Sequence, residues 1–386
     1  MEYIYYALLF YGTLGPLVGL SAGRGNGAVL LLLATYCGLG LGRTGKVVFQ
    51  SLRPAILCAV SEIIVQVVAH GEPPLGDHIR YFVTWILALV VVQSLLLRPG
   101  FLHRFSMAVL FLGLAVVPFL SVRTEGFLSD RAGAQAAIAG GFSNPNGLGN
   151  WFGFCCLYLT VLGLETRRNP VRIGAWLGAV GCLYVVGLSV SRGALAALAV
   201  AVLFALRRIL KRGFAPLLLL FSLVWVLFLF GIFDTAAESF LARAEEDTGR
   251  TEVWPLVIQR YLESPLVGVG ASQMGTYVPG RIAYMPHNSF LCFALTSGSI
   301  PLVFFIVYWI RSFKLSFKLP GPLDYGAFRI PFLVYTLMVC MAGDFLFMNP
   351  WALLALCIPS AATGRVRSKT ARRTQTHLAE QAIARR

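Results

Sequence analysis

The sequence predicts an all-α polytopic membrane protein of about twelve transmembrane helices with one extended outer loop. Of its 386 residues, 57% are hydrophobic and only 13% are charged. This fraction of charged residues is about half that of a soluble domain. Apolar runs near the length of a bilayer crossing recur throughout and end in Arg, Lys, Gly or Pro. Because the runs are continuously apolar rather than alternating, they predict helices and not a membrane barrel.

The predicted spans follow these runs in order. We place them at 3–20, 27–42, 47–69, 79–97, 105–121, 146–164, 173–190, 193–206, 215–233, 288–310, 330–347 and 350–363. The first is predicted to be a membrane helix and not a signal peptide, because no positive segment precedes it. Residues 1–364 then form one transmembrane domain, and 365–386 form a basic, disordered tail. All eight cysteines fall within apolar runs, as expected for small buried packing residues.

The distribution of positive charge predicts the orientation. With a cytoplasmic N-terminus, 23 of the 32 Lys and Arg residues fall in inner segments or in the tail, which is the positive-inside pattern. Both termini are then cytoplasmic. The same placement argues against a nucleic-acid partner despite a net charge of +15, because no nucleic-acid-binding motif accompanies the basic residues.

The segment 173–206 is either one long helix or a hairpin broken at Ser191–Gly193. A single helix of this length would measure about 50 Å, which exceeds the hydrocarbon core. It would also move several basic segments to the outside, so we predict the hairpin. Arg192 then lies at the outer surface between two apolar helices. An arginine there faces a cavity or a partner, or it snorkels to the headgroups.

The predicted outer loops at 122–146 and 234–287 carry most of the candidate chemistry. In the first, which contains Arg123, Asn144 precedes a proline, and Asn146 is expected to cap a helix beginning at Gly147. Free N–H groups at such a helix start favour an anion, although the start of any capped helix looks the same.

The second loop is predicted to contain a helix that begins near Arg250. Its apolar face is predicted to comprise Trp254, Val257, Ile258 and Tyr261, with Arg250 on the same side. Arg260 lies off this face, so it is expected to face solvent or to pair with Glu263.

His287 closes the second loop at the start of a membrane helix. A neutral imidazole there can accept a proton from a sugar hydroxyl; alternatively, His287 or Asn288 simply caps the helix. The other histidines, His70, His78, His103 and His377, have no comparable neighbours in the sequence. We predict no metal site or cofactor, because we find no Cys/His/carboxylate cluster and no nucleotide-binding loop.

These motifs, taken together and in order, resemble the O-antigen ligase/O-antigen polymerase superfamily of bacterial membrane glycosyltransferases. The resemblance extends from Phe142 to about Met341. It rests on the segments Phe142–Asn150, Ser189–Ala194, Arg250–Trp254, Ser264–Gly270 and His287–Phe290, with Gly298 after them.

The resemblance implies a metal-independent enzyme of the inner membrane, with its site and its extended loop in the periplasm. It would move a glycan from undecaprenyl diphosphate to a lipid A-core acceptor in lipopolysaccharide biosynthesis. Arg192 and Arg250 would bind the diphosphate and His287 would act as the base, with Asn144, Asn146, Asn288 and Arg123 as supporting residues.

Two alternatives remain open. The loop before His287 is short for a ligase of this family, so a repeat-unit polymerase of O-antigen or exopolysaccharide is the nearer one. The more distant one is a lipid-linked oligosaccharide flippase or transporter. It predicts paired interrupted helices and charges near the bilayer midplane.

Overall fold

The computed structural model of the protein describes eleven α-helices and two short β-hairpins. The described residues are 42–73, 76–98, 100–114, 120–122, 132–134, 145–210, 250–278, 281–318, 327–343 and 351–361, together with residues 2, 3, 6, 35, 117, 222 and 349. The helices are α1 Gly42–Val68, α2 Asp77–Leu96, α3 Phe101–Leu114, α4 Pro145–Glu165, α5 Asn169–Leu188, α6 Arg192–Leu210, α7 Arg250–Glu263, α8 Ser289–Ser297, α9 Ser299–Lys318, α10 Arg329–Cys340 and α11 Trp351–Ala361. The antiparallel hairpins are β1 Leu120–Val122 with β2 Ala132–Ala134, and β3 Thr276–Val278 with β4 Arg281–Tyr284.

The all-helical class is confirmed for the described residues. Five of their helices are long and apolar enough to cross a membrane, namely α2, α4, α5 and the greater part of α1 and α9. The total of twelve spans stays a prediction. Largely outside the described residues lie the predicted spans 3–20, 27–42 and 215–233, most of the loops 122–146 and 234–249, and the tail 365–386.

Two predicted spans are too long at their C-terminal ends. Helix α3 ends at Leu114 and not at 121, and α10 ends at Cys340 and not at 347. Pro118 follows α3 in the sequence and Gly343 follows α10. Both residue types disfavour a continuing helix, and an apolar run alone does not reveal where it stops.

The predicted span 288–310 is two helices and not one. Gly298, with a φ of 77°, separates α8 from α9. The ring centroids of Phe293 and Phe305 lie 4.6 Å apart, and those of Phe290 and Phe305 lie 5.1 Å apart. A continuous helix would separate the residues of these two pairs by about 18 and 22 Å, so α8 folds back alongside α9. A lone glycine does not announce this turn, because membrane helices contain glycine often.

Helix α4 is the centre of one part of the fold. It packs on α5, α6 and α10, and large buried side chains such as Trp151 and Phe154 lie along it. Helix α6, which packs on both α4 and α10, buries Ala194, Ala197 and Ala201 on one face. Small side chains at this spacing allow the backbones of neighbouring helices to approach closely, as in many membrane helix pairs.

Helices α1, α2 and α9 form the adjoining part of the core. Helix α1 packs on both α2 and α9, and Trp85 of α2 meets Phe305 and Tyr308 of α9 edge-on. Seven of the eight cysteines lie in the described residues and all seven are buried, which confirms their packing role; Cys37 lies outside the described residues.

Glu2 ties the N-terminus to the start of α3. Its carboxylate accepts two hydrogen bonds of 2.9 Å from the Arg104 guanidinium. These bonds hold the pKa of Glu2 below its ordinary value. The contact places together two segments whose charges predict the same side of the membrane.

Candidate functional site

Arg192 is the first residue of α6, directly after a sharp break in the chain. Helix α5 ends at Leu188 and α6 begins at Arg192, so the predicted break within 173–206 is confirmed. Between the helices, Val190 is 3% exposed and has a φ of 48°. Such a φ is an outlier for a β-branched residue, and strain of this kind concentrates at functional sites. Arg192 itself is half-buried.

The start of α4 contacts the same break. A Cβ atom added to Gly149 would lie 2.6 Å from the Cβ atom of Ser191, so only glycine allows this approach. Helix α4 begins at Pro145 and not at Gly147, which places Asn146 inside the first turn and corrects its expected role as the cap. Proline suits the first position because its φ is already helical and it has no N–H to satisfy. The start of α4 and the break before α6 are therefore neighbours in space.

His287 immediately precedes α8, and Asn288 caps that helix. The side-chain oxygen of Asn288 accepts hydrogen bonds from the N–H groups of Phe290 and Leu291, at 2.9 and 3.2 Å. Of the two capping alternatives, Asn288 is therefore the cap. His287 is half-buried and has a φ of 48°, and among the described non-glycine residues it shares a positive φ with Val190. One of the two backbone outliers is thus the predicted site residue His287, and the other lies two residues before Arg192.

Helix α7 positions the segment that leads to His287. The indole N–H of Trp254 donates a 2.9 Å hydrogen bond to the carbonyl of Pro286. Behind it, Val253 and Val257 are buried against Cys292 and Leu295 of α8 in a separate small core. Helix α7 therefore lies on α8, with Trp254 at the end of α8 that carries His287.

The start of α7 confirms one part of the loop prediction and corrects two others. Arg250 begins α7 one turn before Trp254, although only its backbone is described. Ile258 is 46% exposed, and Val253 takes its place on the buried face. Arg260 does not simply face solvent, because its guanidinium donates a 2.8 Å hydrogen bond to the carbonyl of Gly275. A loop carbonyl can compete with water for an arginine, since hydrogen bonds from charged groups are stronger than neutral ones.

The segment 341–343, directly after α10, joins the starts of α6 and α8. A Cβ atom on Gly193 would lie 3.0 Å from the Cβ atom of Ala342. The Ser289 hydroxyl donates a 2.9 Å hydrogen bond to the carbonyl of Gly343. Arg192 and His287 therefore belong to helix starts that contact the same three residues. Of the other predicted site residues, Arg123 and Asn144 lie outside the described residues.

The site is recessed from the turn at Gly298. The ring of Phe290 also lies beside that of Trp309, with centroids 6.5 Å apart and the planes tilted by 42°. Trp309 lies ten residues into α9, so the start of α8 is about 15 Å along α9 from its beginning. The folded-back helix thus carries His287 away from the turn and towards the starts of α4 and α6.

The electrostatics of this arrangement favour an anion. The N-terminal ends of α4, α6 and α8 meet there, and each helix start carries partial positive charge and N–H groups that point outward. Arg192 adds a full positive charge at the first residue of α6. Helix N-termini of this kind bind phosphate groups in many proteins. Within the described residues, we find no group of three or more His, Cys, Asp or Glu side chains that could hold a metal ion.

An apolar groove adjoins the site. It has a volume of about 510 Å³ and is lined along α9 and α10, with Phe290 at the end near His287. Its other lining residues are Ile306, Trp309, Ile310, Phe313, Lys314, Phe317 and Leu337. Ile310 and Phe317 are 48% and 57% exposed. Exposed apolar side chains in such numbers suit contact with lipid chains.

Sequence reasoning missed a polar group on α1. His70 and His78 have no polar neighbours in the sequence that suggest a role. In the structure, His78 Nε2 lies 2.7 Å from Glu62 Oε1, and His70 Nε2 lies 2.8 Å from the carbonyl oxygen of Val267. Glu62 is fully buried in an apolar helix. An ionisable residue inside a predicted membrane span was the available signal, because such residues are costly and are retained for a purpose.

Comparison with known families supports the resemblance. Residues 177–306 match the family model described as O-antigen ligase. The chain carries an O-antigen ligase domain. No curated protein sequence matches the chain significantly.

The matched segment of the O-antigen ligase domain runs from α5 into α9. It includes Arg192, Arg250 and His287, whereas the motif at the start of α4 lies before it. The protein is thus a membrane protein with a domain similar to O-antigen ligases, a family whose members are glycosyltransferase-like enzymes that act on lipid-linked glycans.

Proposed function

We propose that the protein is an O-antigen ligase that moves a glycan from undecaprenyl diphosphate to a hydroxyl group of a lipid A-core or similar acceptor. One observation carries the proposal. The starts of α4, α6 and α8 meet around Arg192 and His287 inside a domain of this family. A diphosphate needs positive charge and N–H donors, and the acceptor hydroxyl needs a base; this arrangement offers both.

In the proposed reaction, His287 accepts the proton of the acceptor hydroxyl while the hydroxyl oxygen bonds to the anomeric carbon of the glycan. The bond from that carbon to the diphosphate oxygen breaks, and its electron pair leaves with the diphosphate. Arg192 and Arg250 hold the diphosphate, because planar guanidinium groups pair well with phosphate oxygens. The leaving group supplies the driving force, so the proposed chemistry needs neither a metal nor a nucleotide.

The remaining site residues support this arrangement. Asn288 fixes the start of α8 by capping it. Asn146 is exposed in the first turn of α4, and we propose that its amide contacts a glycan or phosphate oxygen. Asn144 and Arg123 are proposed as further contacts on the sequence resemblance alone.

The groove beside Phe290 supports a lipid-borne substrate, because a polyprenyl chain can lie along its apolar wall. We place residues 1–364 in the bacterial inner membrane, with the site and the loops 122–146 and 234–287 facing the periplasm. Both termini, including the tail 365–386, are proposed to be cytoplasmic. The pairing of Glu2 with Arg104 agrees with this orientation, since both lie in segments predicted to be inside.

A repeat-unit polymerase is the second candidate, favoured by the short loop before His287. Both reactions would use the same donor and the same base. Gene deletion separates them on a lipopolysaccharide gel. Loss of a ligase leaves lipid-linked polymer unattached, whereas loss of a polymerase leaves core that bears a single repeat. If the gel shows neither pattern, both assignments are wrong.

The transporter alternative predicts interrupted helices, and the turn at Gly298 is one such interruption. Transfer by purified protein decides between an enzyme and a transporter. The donor is a synthetic undecaprenyl-diphosphate glycan, supplied with and without a core-lipid acceptor. A transporter moves this donor across a membrane without joining its glycan to an acceptor.

The same assay tests the site. We expect H287A and R250A to lose transfer while they remain folded. R172A and H103A are matched controls, because Arg172 and His103 are exposed at the starts of α5 and α3, away from the site. Transfer retained by both site variants would refute the catalytic assignment.

A further inference from the structure

A polar stripe runs along α1 at helical spacing. Glu62 and Gln66 are four residues apart on one side of the helix, and His70 follows in the turn after α1 ends at Val68. Glu62 and Gln66 are 0% and 1% exposed. Burying a carboxylate and an amide in an apolar helix is unfavourable unless both find partners.

The stripe holds the C-terminal end of α8. The Ser297 hydroxyl donates a 2.5 Å hydrogen bond to Glu62 Oε1, which also meets His78 Nε2 at 2.7 Å. The Gln66 amide donates to the Ser297 hydroxyl at 2.6 Å and to the Thr296 carbonyl at 3.0 Å. The last turn of α8 is therefore bonded to α1 through three side chains.

The same stripe holds the loop that wraps this end of α8. Gln66 accepts a 3.1 Å hydrogen bond from the backbone N–H of Ala271, and His70 bonds the Val267 carbonyl. Between these points, the N–H groups of Val269 and Gly270 donate to carbonyls of α8, at 2.7 and 3.0 Å. The free carbonyls at the end of α8 are thus satisfied by backbone and side-chain donors.

Helix α8 links this bonded end to the site. It has nine residues, so it spans about 13 Å as a short rigid rod. Its far end carries His287 and the Asn288 cap. A rod fixed at one end transmits a displacement of that end to the other, and misplacing a reacting group by about 1 Å can lower a rate about 100-fold.

We propose that Glu62 and Gln66 are positioning residues that set the place of His287 by clamping the opposite end of α8. The proposal rests on the proposed function of His287 as the base. Glu62 Oε2 is buried and has no hydrogen-bond partner among the described residues. Burying a carboxylate with one unsatisfied oxygen is unfavourable. This cost indicates that the hydrogen bonds of Oε1 serve a purpose that an apolar side chain could not.

The test compares four variants of the full-length protein in detergent. E62L removes the acceptor of the Ser297 and His78 bonds. E62Q keeps an acceptor oxygen at that place and removes the charge. S297A removes the hydroxyl between Glu62 and Gln66 with little change in volume. S61A is the matched control, because the Ser61 hydroxyl donates a hydrogen bond within α1, to the carbonyl of Cys58.

We expect E62L and S297A to lower turnover per folded molecule by about 10- to 100-fold, with the donor KM within about twofold of the wild-type value. E62Q and S61A should stay within about threefold of wild type. If these hydrogen bonds only stabilise the fold, the substitutions would instead lower the yield of folded protein and leave the turnover of the folded molecules unchanged. That result, or an E62Q variant as impaired as E62L, would overturn the proposal.

Hydrogen exchange separates failure of this proposal from failure of the proposed function. Amides of residues 289–297 should exchange at least about tenfold faster in S297A and E62L than in wild type or S61A. Unchanged exchange would refute the clamp whatever reaction the protein performs. If exchange is faster in the variants but the wild-type protein transfers no glycan, the proposed function is refuted. His287 would then have no catalytic role for the clamp to support.

Discussion

Replacing Gly298 by alanine should destabilise the protein, because two features of the turn between α8 and α9 exclude a side chain. Gly298 has a φ of 77° and a ψ of −161°, a conformation nearly restricted to glycine that costs other residues about 1–3 kcal/mol. An added Cβ atom would also fall on the carbonyl of Leu266, in the loop packed against the turn. Because the clashing atoms belong to the backbone of Leu266, no side-chain rotation relieves the clash.

Together these effects predict a loss of about 2–4 kcal/mol for G298A. The measurement is thermal unfolding in detergent, followed by tryptophan fluorescence. G181A is the matched control, because Gly181 lies within α5 and an added Cβ atom would meet nothing within 4 Å. Alanine is favoured over glycine in a helix by up to about 1 kcal/mol, so G181A should unfold at or above the wild-type temperature.

A G298A protein as stable as G181A would refute the folded-back arrangement. In a continuous helix over 288–310, alanine at position 298 would be the better residue. The hairpin brings His287 to the starts of α4 and α6, so that outcome would also remove the geometric basis of the candidate site.

Two further substitutions test the contacts that assemble the site. W254F keeps an aromatic ring but removes the N–H that donates to Pro286; it should cost about 1 kcal/mol in thermal unfolding and should lower transfer. Unchanged stability and turnover would mean that this bond does not hold the segment before α8. G149A should lower the unfolding temperature because its Cβ atom would collide with Ser191, whereas G174A, with nothing within 4 Å, should not. Equal effects of the two alanines would contradict the close approach of α4 to the break before α6.

The break before Arg192 was predictable because it follows from lengths and charges. A helix over 173–206 is too long for a bilayer, and the basic segments after it would face the wrong side. The strain at Val190 that accompanies the break was not predictable, since nothing in the letters Val-Ser-Arg-Gly requires a positive φ at the valine. It accompanies a long-range contact, because the α4 start packs against the residues on either side of Val190.

The turn at Gly298 and the clamp on α1 were beyond prediction for a different reason. Both depend on which segments meet across the fold. Gly298 is required because the Leu266 carbonyl approaches it. Oε1 of Glu62 finds a donor because Ser297, 235 residues away in the sequence, lies beside it. Glu62 is a charge within an apolar run of the sequence, a signal that the sequence analysis did not use, and its partners become visible only when α8 folds back.

Photo-crosslinking with the donor tests most directly whether the starts of α4, α6 and α8 form the diphosphate site. The probe is an undecaprenyl-diphosphate glycan with a photoreactive group on its first sugar, bound to the purified wild-type protein and mapped by peptide mass spectrometry. We predict labelling of residues 189–193 and 286–290, which excess unlabelled donor suppresses. Suppressible labelling confined to other segments, such as 165–172 at the opposite ends of α4 and α5, would contradict the site.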